Sequence, residues 1–209
     1  MTPPLLDIAD LACRRGGRKV FDRLSFAVGA GELLVLVGRN GSGKTTLLRA
    51  LALLVRPEAG TIRWQGRDIQ IDPETWRAGI AWLGHLDGLK GDLSVRENLL
   101  AAERLRGLRP PEDRIDGALV AFDLTALAAR PVRALSAGQR RRTALARVLL
   151  SQAPVWLLDE PLNALDSAAQ DAFRIALSHH LVAGGLVIAA THADLGLPTA
   201  RRLELGAAP

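Results

Sequence analysis

The run Leu33-Leu34-Val35-Leu36-Val37-Gly38-Arg39-Asn40-Gly41-Ser42-Gly43-Lys44-Thr45-Thr46-Leu47-Leu48 decides how this 209-residue chain folds. Its first five residues are apolar without alternation, as expected of a strand covered on both faces in a mainly parallel sheet. Leucines 47, 48, 51 and 54 then recur at helical spacing, so strand, glycine-rich turn and a helix over 44–54 follow one another. Residues 38–45 fit G-x-x-x-x-G-K-[ST] in the strand-to-helix context that the pattern requires. In that context successive backbone N–H groups can ring a polyphosphate, and the positive end of the helix adds to the attraction. Lys44 is placed to reach the outer phosphates and the Thr45 hydroxyl to occupy one site on Mg²⁺. Gly38, Arg39, Asn40, Gly41, Ser42, Gly43, Lys44, Thr45 and Thr46 are therefore the candidate nucleotide-binding residues.

Working outward, 155–158 and Leu186–Ala190 repeat the buried-strand character, with a helical pattern over Ser167–Val182 between them. The fold class is α/β. Segments 5–11 and 24–28, separated by the turn-rich 14–19, read as a small antiparallel sheet beside the parallel one, with 62–64 able to join it. From 94 to 151 there is no strand signal but three helical patterns, 95–106, 111–122 and Ala137–Leu150, with Pro110-Pro111 marking a turn among them. The expectation is one domain over 1–209, with a core from about 1–85 and 152–209 and a helical subdomain from about 86–151 inserted into it.

Composition narrows the function classes. Hydrophobic residues at 48% and charged residues at 23% supply a core and exclude an intrinsically disordered chain. The apolar runs, 33–37 and 186–190 among them, fall far short of the roughly 20 residues a membrane-spanning helix needs. The first residues carry no basic, then apolar, leader pattern, so a cytoplasmic location is expected. The net charge of +5 rests on 24 arginines and 3 lysines scattered along the chain, and only Arg140-Arg141-Arg142 forms a block; no nucleic-acid partner is expected. Cys13, the single cysteine, is assigned no chemistry.

Val155-Trp156-Leu157-Leu158-Asp159-Glu160 is an apolar strand ending in two carboxylates, at the end where open α/β sheets bind ligands. Asp159 can hold Mg²⁺ through water, and Glu160 can orient or deprotonate the water that attacks the γ-phosphate. A plain strand-ending turn is the alternative for these two residues taken alone. Leu135-Ser136-Ala137-Gly138-Gln139 opens the helix Ala137–Leu150, with Ser136 as its natural N-cap, and resembles the L-S-G-G-Q signature of the ATP-binding-cassette ATPases.

That resemblance implies a second copy of the chain as partner, the Ser136, Ala137, Gly138 and Gln139 segment of one capping the γ-phosphate held by the other. Leu162-Asn163-Ala164-Leu165-Asp166 resembles the family's D-loop, with Asp166 facing the partner, and Thr191-His192 resembles its switch histidine. His85 stands where most cassettes carry the Q-loop glutamine and is carried over as a residue able to contact water or metal. Near Arg15, where the family offers an aromatic ring to adenine, this chain has no tyrosine anywhere; Arg15 can stack as a planar cation instead. The resemblance therefore names Lys44, Glu160 and His192 as catalytic, ATP and Mg²⁺ as the ligands, and Thr45, Asp159 and His85 as metal-facing.

Trp64-Gln65-Gly66, Leu83-Gly84-His85, Gly88-Leu89-Lys90 and Arg130-Pro131-Val132-Arg133 are similar to strings of the ATP-binding export subunits of cytochrome c maturation systems. This implies an integral-membrane permease as partner, peripheral attachment at the cytoplasmic face of the inner membrane, and docking through residues 85–92. It implies hydrolysis coupled to haem export or to release of a haem-loaded chaperone. A cassette for lipoprotein release or another solute, a soluble cassette, and a non-hydrolysing nucleotide-gated module remain open as other readings.

Overall fold

The structure, a computed structural model, describes residues 5–107 and 112–206. Leu33–Val37 forms β3 inside a five-stranded parallel sheet. Its order is β6 (Ile80–Leu83), β7 (Val155–Asp159), β8 (Leu186–Ala190), β3 and β9 (Arg201–Glu204). The absence of alternation in these strands has the cause expected of it. Leu34 and Leu36 of β3, with Val155, Leu157 and Ile188, face one buried cluster, while Leu33, Val35, Trp156, Leu158 and Val187 face the other. The first cluster is closed by α1 (Lys44–Leu51) and by an antiparallel sheet of β1 (Leu6–Arg15), β2 (Arg18–Val28), β4 (Ala59–Trp64) and β5 (Arg67–Asp68), ordered β2-β1-β4-β5. The second is closed by α6 (Ser167–Val182) and by a helical lobe of α3 (Val95–Leu105), α4 (Glu112–Ala121) and α5 (Ala137–Leu150). Both the parallel sheet and the antiparallel sheet beside it are as expected from the sequence.

Several elements differ from the expectation, each for a physical reason. β1 and β2 extend well beyond 5–11 and 24–28 and meet at Gly16-Gly17, both at positive φ, as a two-residue hairpin requires. Register shifts between Ile8 and Leu11, Leu11 and Cys13, and Cys13 and Arg14 break the two-residue alternation, which hides the strands from a periodicity reading. The first helix stops at Leu51, not at 54. Leu53 takes the left-handed conformation, φ 55°, and Leu54 N–H bonds the Arg49 carbonyl while Leu53 N–H bonds that of Ala50. This is a Schellman stop built on leucine, so the glycine that usually announces it is missing.

β6, β9 and α2 (Pro73–Ala78) received no assignment from sequence; β6 and β9 are four-residue strands at the two edges of the sheet, too short to show a period. Buried Trp76 on α2 donates its indole N–H to the Leu51 carbonyl at 2.7 Å, tying α2 to the end of α1. The Pro110-Pro111 turn lies outside the described residues.

His180, in the last turn of α6, is packed. Its ring stacks on Trp156 at 4.0 Å between centroids, and a side chain at Gly185 would overlap it. Burial pushes its pKa below the ordinary histidine value, partly countered by the Leu186 and Pro154 carbonyls. The unfolded chain therefore binds the proton more readily than the native one. The contribution is whole above the unfolded pKa of about 6.5 and is lost as pH falls through it toward the lower native value. Between pH 7.5 and 5.5 the wild type is expected to lose more melting temperature than His180→Phe, as read by thermal denaturation at both pH values.

Candidate functional site

The carboxyl ends of β3 and β7 carry the two halves of a cavity of about 460 Å³ lined by Arg15, Val20, residues 40–46, His85, Asp159 and Glu160. Gly43, which precedes α1 at φ 104°, cannot be replaced without strain, because a Cβ there would lie 2.6 Å from the Val20 methyl. That geometry turns the chain into α1 with no side-chain cap and no acid in the first turn, so its leading amides face the cavity's ligand alone. Lys44 is buried, and its ammonium donates to the Gly38 carbonyl at 2.6 Å and the Arg39 carbonyl at 3.3 Å. Thr45 Oγ1 donates to Asp159 Oδ2 at 2.9 Å, joining the start of α1 to the end of β7, 114 residues apart in sequence. Ser42 Oγ is buried without a protein partner.

Asp159 ends β7 and is buried. Glu160 leaves the strand at φ 49°, the left-handed region, with its N–H held by the Ala190 carbonyl at 2.7 Å. The backbone turn separates the two carboxylates: Asp159 is tied to Thr45, while Glu160 stays half-buried beside exposed His85.

The signature segment lies elsewhere. Ser136 and Gln139 form a reciprocal capping box: Gln139 N–H donates to Ser136 Oγ at 3.2 Å and Ser136 N–H to Gln139 Oε1 at 2.9 Å. The amides of Ala137 and Gly138 are the ones the box leaves for an outside acceptor. Ser136, Gly138 and Gln139 line a second cavity, of about 220 Å³, with Arg142, Ala164, Leu165 and Asp166. Gly138 packs on the backbone of the 162–166 loop: a Cβ there would sit 2.7 Å from the Ala164 carbonyl oxygen. Ala137 is exposed, which is why a methyl is tolerated at the first of the two small positions and not at the second. Asp166 caps α6, accepting from Ala169 N–H at 2.8 Å, and also faces this cavity. The two cavities share no lining residue.

His192 lies just past β8, whose Ala190 pairs with both Leu36 and Asp159. Its exposed side chain lines a third cavity, of about 550 Å³, with Asp194 and Arg202, and not the Lys44 cavity. Asp87, within the expected docking stretch 85–92, is paired with Arg141, Nη1 to Oδ1 3.1 Å. Arg141 is what sequence reasoning missed. It entered only as part of a basic block, although its spacing from Ala144, Leu145 and Val148 places it on the apolar stripe of α5.

The sequence profile of the ABC transporter family matches residues 21–163. The cytochrome c biogenesis ATP-binding export protein CcmA of Rhodospirillum rubrum is 46% identical over 97% of this chain and 86% of its own length. That of Rhodopseudomonas palustris strain BisB5 is 49% identical over 95% of this chain and 96% of its own. This chain belongs to the ABC transporter family, among the cytochrome c biogenesis ATP-binding export proteins. Like the family, it is an ATP-binding subunit and an ATPase. An ABC transporter ATP-binding protein from Pyrococcus furiosus has the same fold, with a TM-score of 0.83 at 27% identity over 96% of each chain. An ATP-binding subunit of another ABC transporter superposes at a TM-score of 0.86, covering 96% of this chain and 85% of its own, at 24% identity.

Proposed function

We propose that two copies of this cassette hydrolyse ATP between them, each ATP held by the Lys44 cavity of one copy and capped by the Ser136 segment of the other. One observation carries the reading: both phosphate-seeking helix ends exist in each chain, yet they open into separate cavities, so a single chain cannot close both on one phosphate. Binding Lys44 to the outer phosphates would exchange its two backbone carbonyls for a stronger charge-assisted contact.

Mg²⁺ fits the donors present. Thr45 Oγ1 and the Asp159 carboxylate already converge, both are hard oxygens, and among the described residues no cluster of three or more His, Cys, Asp or Glu could hold a metal by itself. A cation with one or two protein oxygens and the rest from phosphate and water is the usual Mg²⁺ arrangement, and when bound it neutralises charge on the β- and γ-oxygens. Glu160 takes the proton of the attacking water, His192 of the switch segment contacts the γ-phosphate in the closed pair, and His85 contacts water or metal at the rim. ATP thus favours the closed pair because each subunit adds contacts to the other's γ-phosphate, and hydrolysis removes them.

The purine end of the cavity offers Arg15 and Val20 and no aromatic ring. A guanidinium plane stacks on either purine, so ATP and GTP are expected to bind within about tenfold of each other (~1.4 kcal/mol) in competition titrations.

The relatives' names assign them to export in cytochrome c biogenesis. For this chain we propose the same work: peripheral attachment to an integral-membrane permease of the cytochrome c maturation complex at the cytoplasmic face of the inner membrane. Hydrolysis there is coupled to haem export or to release of a haem-loaded chaperone. Among the described residues no helix is long and apolar enough to cross a membrane, so attachment falls to a partner. Deletion in the source organism tests this: loss of c-type cytochromes with other exported products unchanged supports it, and intact c-type cytochromes with a defect in lipoprotein release would move the chain to another transporter.

A further inference from the structure

Arg141 is a charged side chain where α5 should present an apolar one, and it is 5% exposed. A buried guanidinium is costly unless its N–H groups are matched, and here they are. Nη2 donates to the carbonyls of Asp159 at 2.7 Å and Glu160 at 2.6 Å, and Nε to that of Pro161 at 3.3 Å. Nη1 donates to the Gly84 carbonyl and to Asp87 Oδ1, both at 3.1 Å. Arg147, further along α5, holds two further carbonyls of the same stretch, Asp87 at 2.9 Å and Gly88 at 2.7 Å.

One side chain therefore ties three segments together: the signature helix, the peptide 159–161 and the loop 84–87 that carries His85. The middle one is strained. A glutamate at φ 49° costs on the order of 1–3 kcal/mol and persists only where its surroundings hold it. Its N–H is fixed by Ala190 and its carbonyl by Arg141, which leaves the direction of the Glu160 carboxylate set from both sides.

We propose that Arg141 is the positioning residue for Glu160, and that through its bonds to Gly84 and Asp87 it makes the placement of that carboxylate follow the loop 84–87. The inference rests on Glu160 being the base. A shift of the loop against the core pulls on a rigid planar fork whose other end holds the Glu160 peptide. Movement at the rim is thereby converted into misalignment of the water-activating group. Lysine cannot substitute, because its donors radiate from one nitrogen and cannot span the carbonyls of both segments.

The test uses the full chain with ATP, reading single-turnover hydrolysis and equilibrium ATP binding separately. Arg141→Lys is expected to slow hydrolysis at least ~30-fold with ATP affinity within about threefold. In a Glu160→Gln background the same change is expected to slow the residual rate by less than about twofold, since the group it positions is gone. Asp87→Ala, which removes the bond to Oδ1 and keeps the other four, is expected to slow hydrolysis about three- to tenfold at unchanged ATP affinity.

A rate for Arg141→Lys within threefold of wild type overturns the proposal. So does equal slowing in both backgrounds, or a loss of rate that merely follows a loss of ATP binding; each marks Arg141 as a structural brace. If Arg141→Lys does not fold, an unchanged rate in Asp87→Ala overturns it alone. Wild-type hydrolysis in Glu160→Gln alone removes the base assignment and the inference with it, a result distinct from inert Glu160→Gln beside active Arg141→Lys.

Discussion

Glu160→Gln is expected to lower ATP turnover about 10³-fold, within the usual span for loss of a general base, while ATP stays bound and the subunit pair stays closed. The amide keeps the shape of the carboxylate and the backbone turn at φ 49°, so the cavity that receives the phosphates is preserved. What is lost is the ability to take a proton from water. Contacts from two subunits to the γ-phosphate then persist because nothing cleaves it, and the equilibrium between open and closed pairs moves to closed by mass action. Turnover assayed by phosphate release, together with molar mass in solution with and without ATP, reads both halves of the expectation. Near-normal turnover would remove Glu160 from its assigned role.

Gly138→Val is expected to leave ATP binding to the single chain intact and to reduce turnover about 100-fold, through closure of the pair and not through the Lys44 cavity. The first atom of any side chain at 138 would meet the Ala164 carbonyl oxygen at 2.7 Å, so the 162–166 loop must move. Forcing extra atoms into such a contact costs about 1–3 kcal/mol, and a bias of that size on closure is worth about 5–150-fold. The Lys44 cavity has no lining residue in common with this one, which is why ATP affinity of the isolated chain is expected to hold. The exposed helical glycine Gly117, where a Cβ meets nothing within 4 Å, supplies the control. Gly117→Ala is expected to raise stability by about 0.5–1 kcal/mol without touching turnover.

The parts of this molecule that could be read in its sequence are those governed by local rules. The buried strands at 33–37, 155–158 and 186–190 announce themselves because every residue must be apolar when both faces are covered. The 38–45 loop does so because close backbone approach to phosphate demands glycine. Where several residues share one task across the fold, the signal weakens. Bulged β1 and β2 lose their alternation, and the leucine at 53 ends α1 without the usual glycine. The bond of Thr45 to Asp159 was foreseeable only as a shared metal preference, and the pairing of Asp87 stayed hidden because its partner, Arg141, entered only as part of a basic block. A basic residue on an apolar stripe was the one available sign of that buried network.

The composite site is tested most directly by mixing two defective chains, Lys44→Ala and Gly138→Val, each inactive alone. In a mixed pair one ATP site collects both defects, and the other combines an intact Lys44 cavity with an intact signature segment. Mixing equal amounts as nucleotide-free chains is therefore expected to restore hydrolysis to about a quarter of the wild-type rate, following random assortment into two-fold pairs. A mixture as inactive as either chain alone, with mixed pairs shown to form, would contradict the shared site.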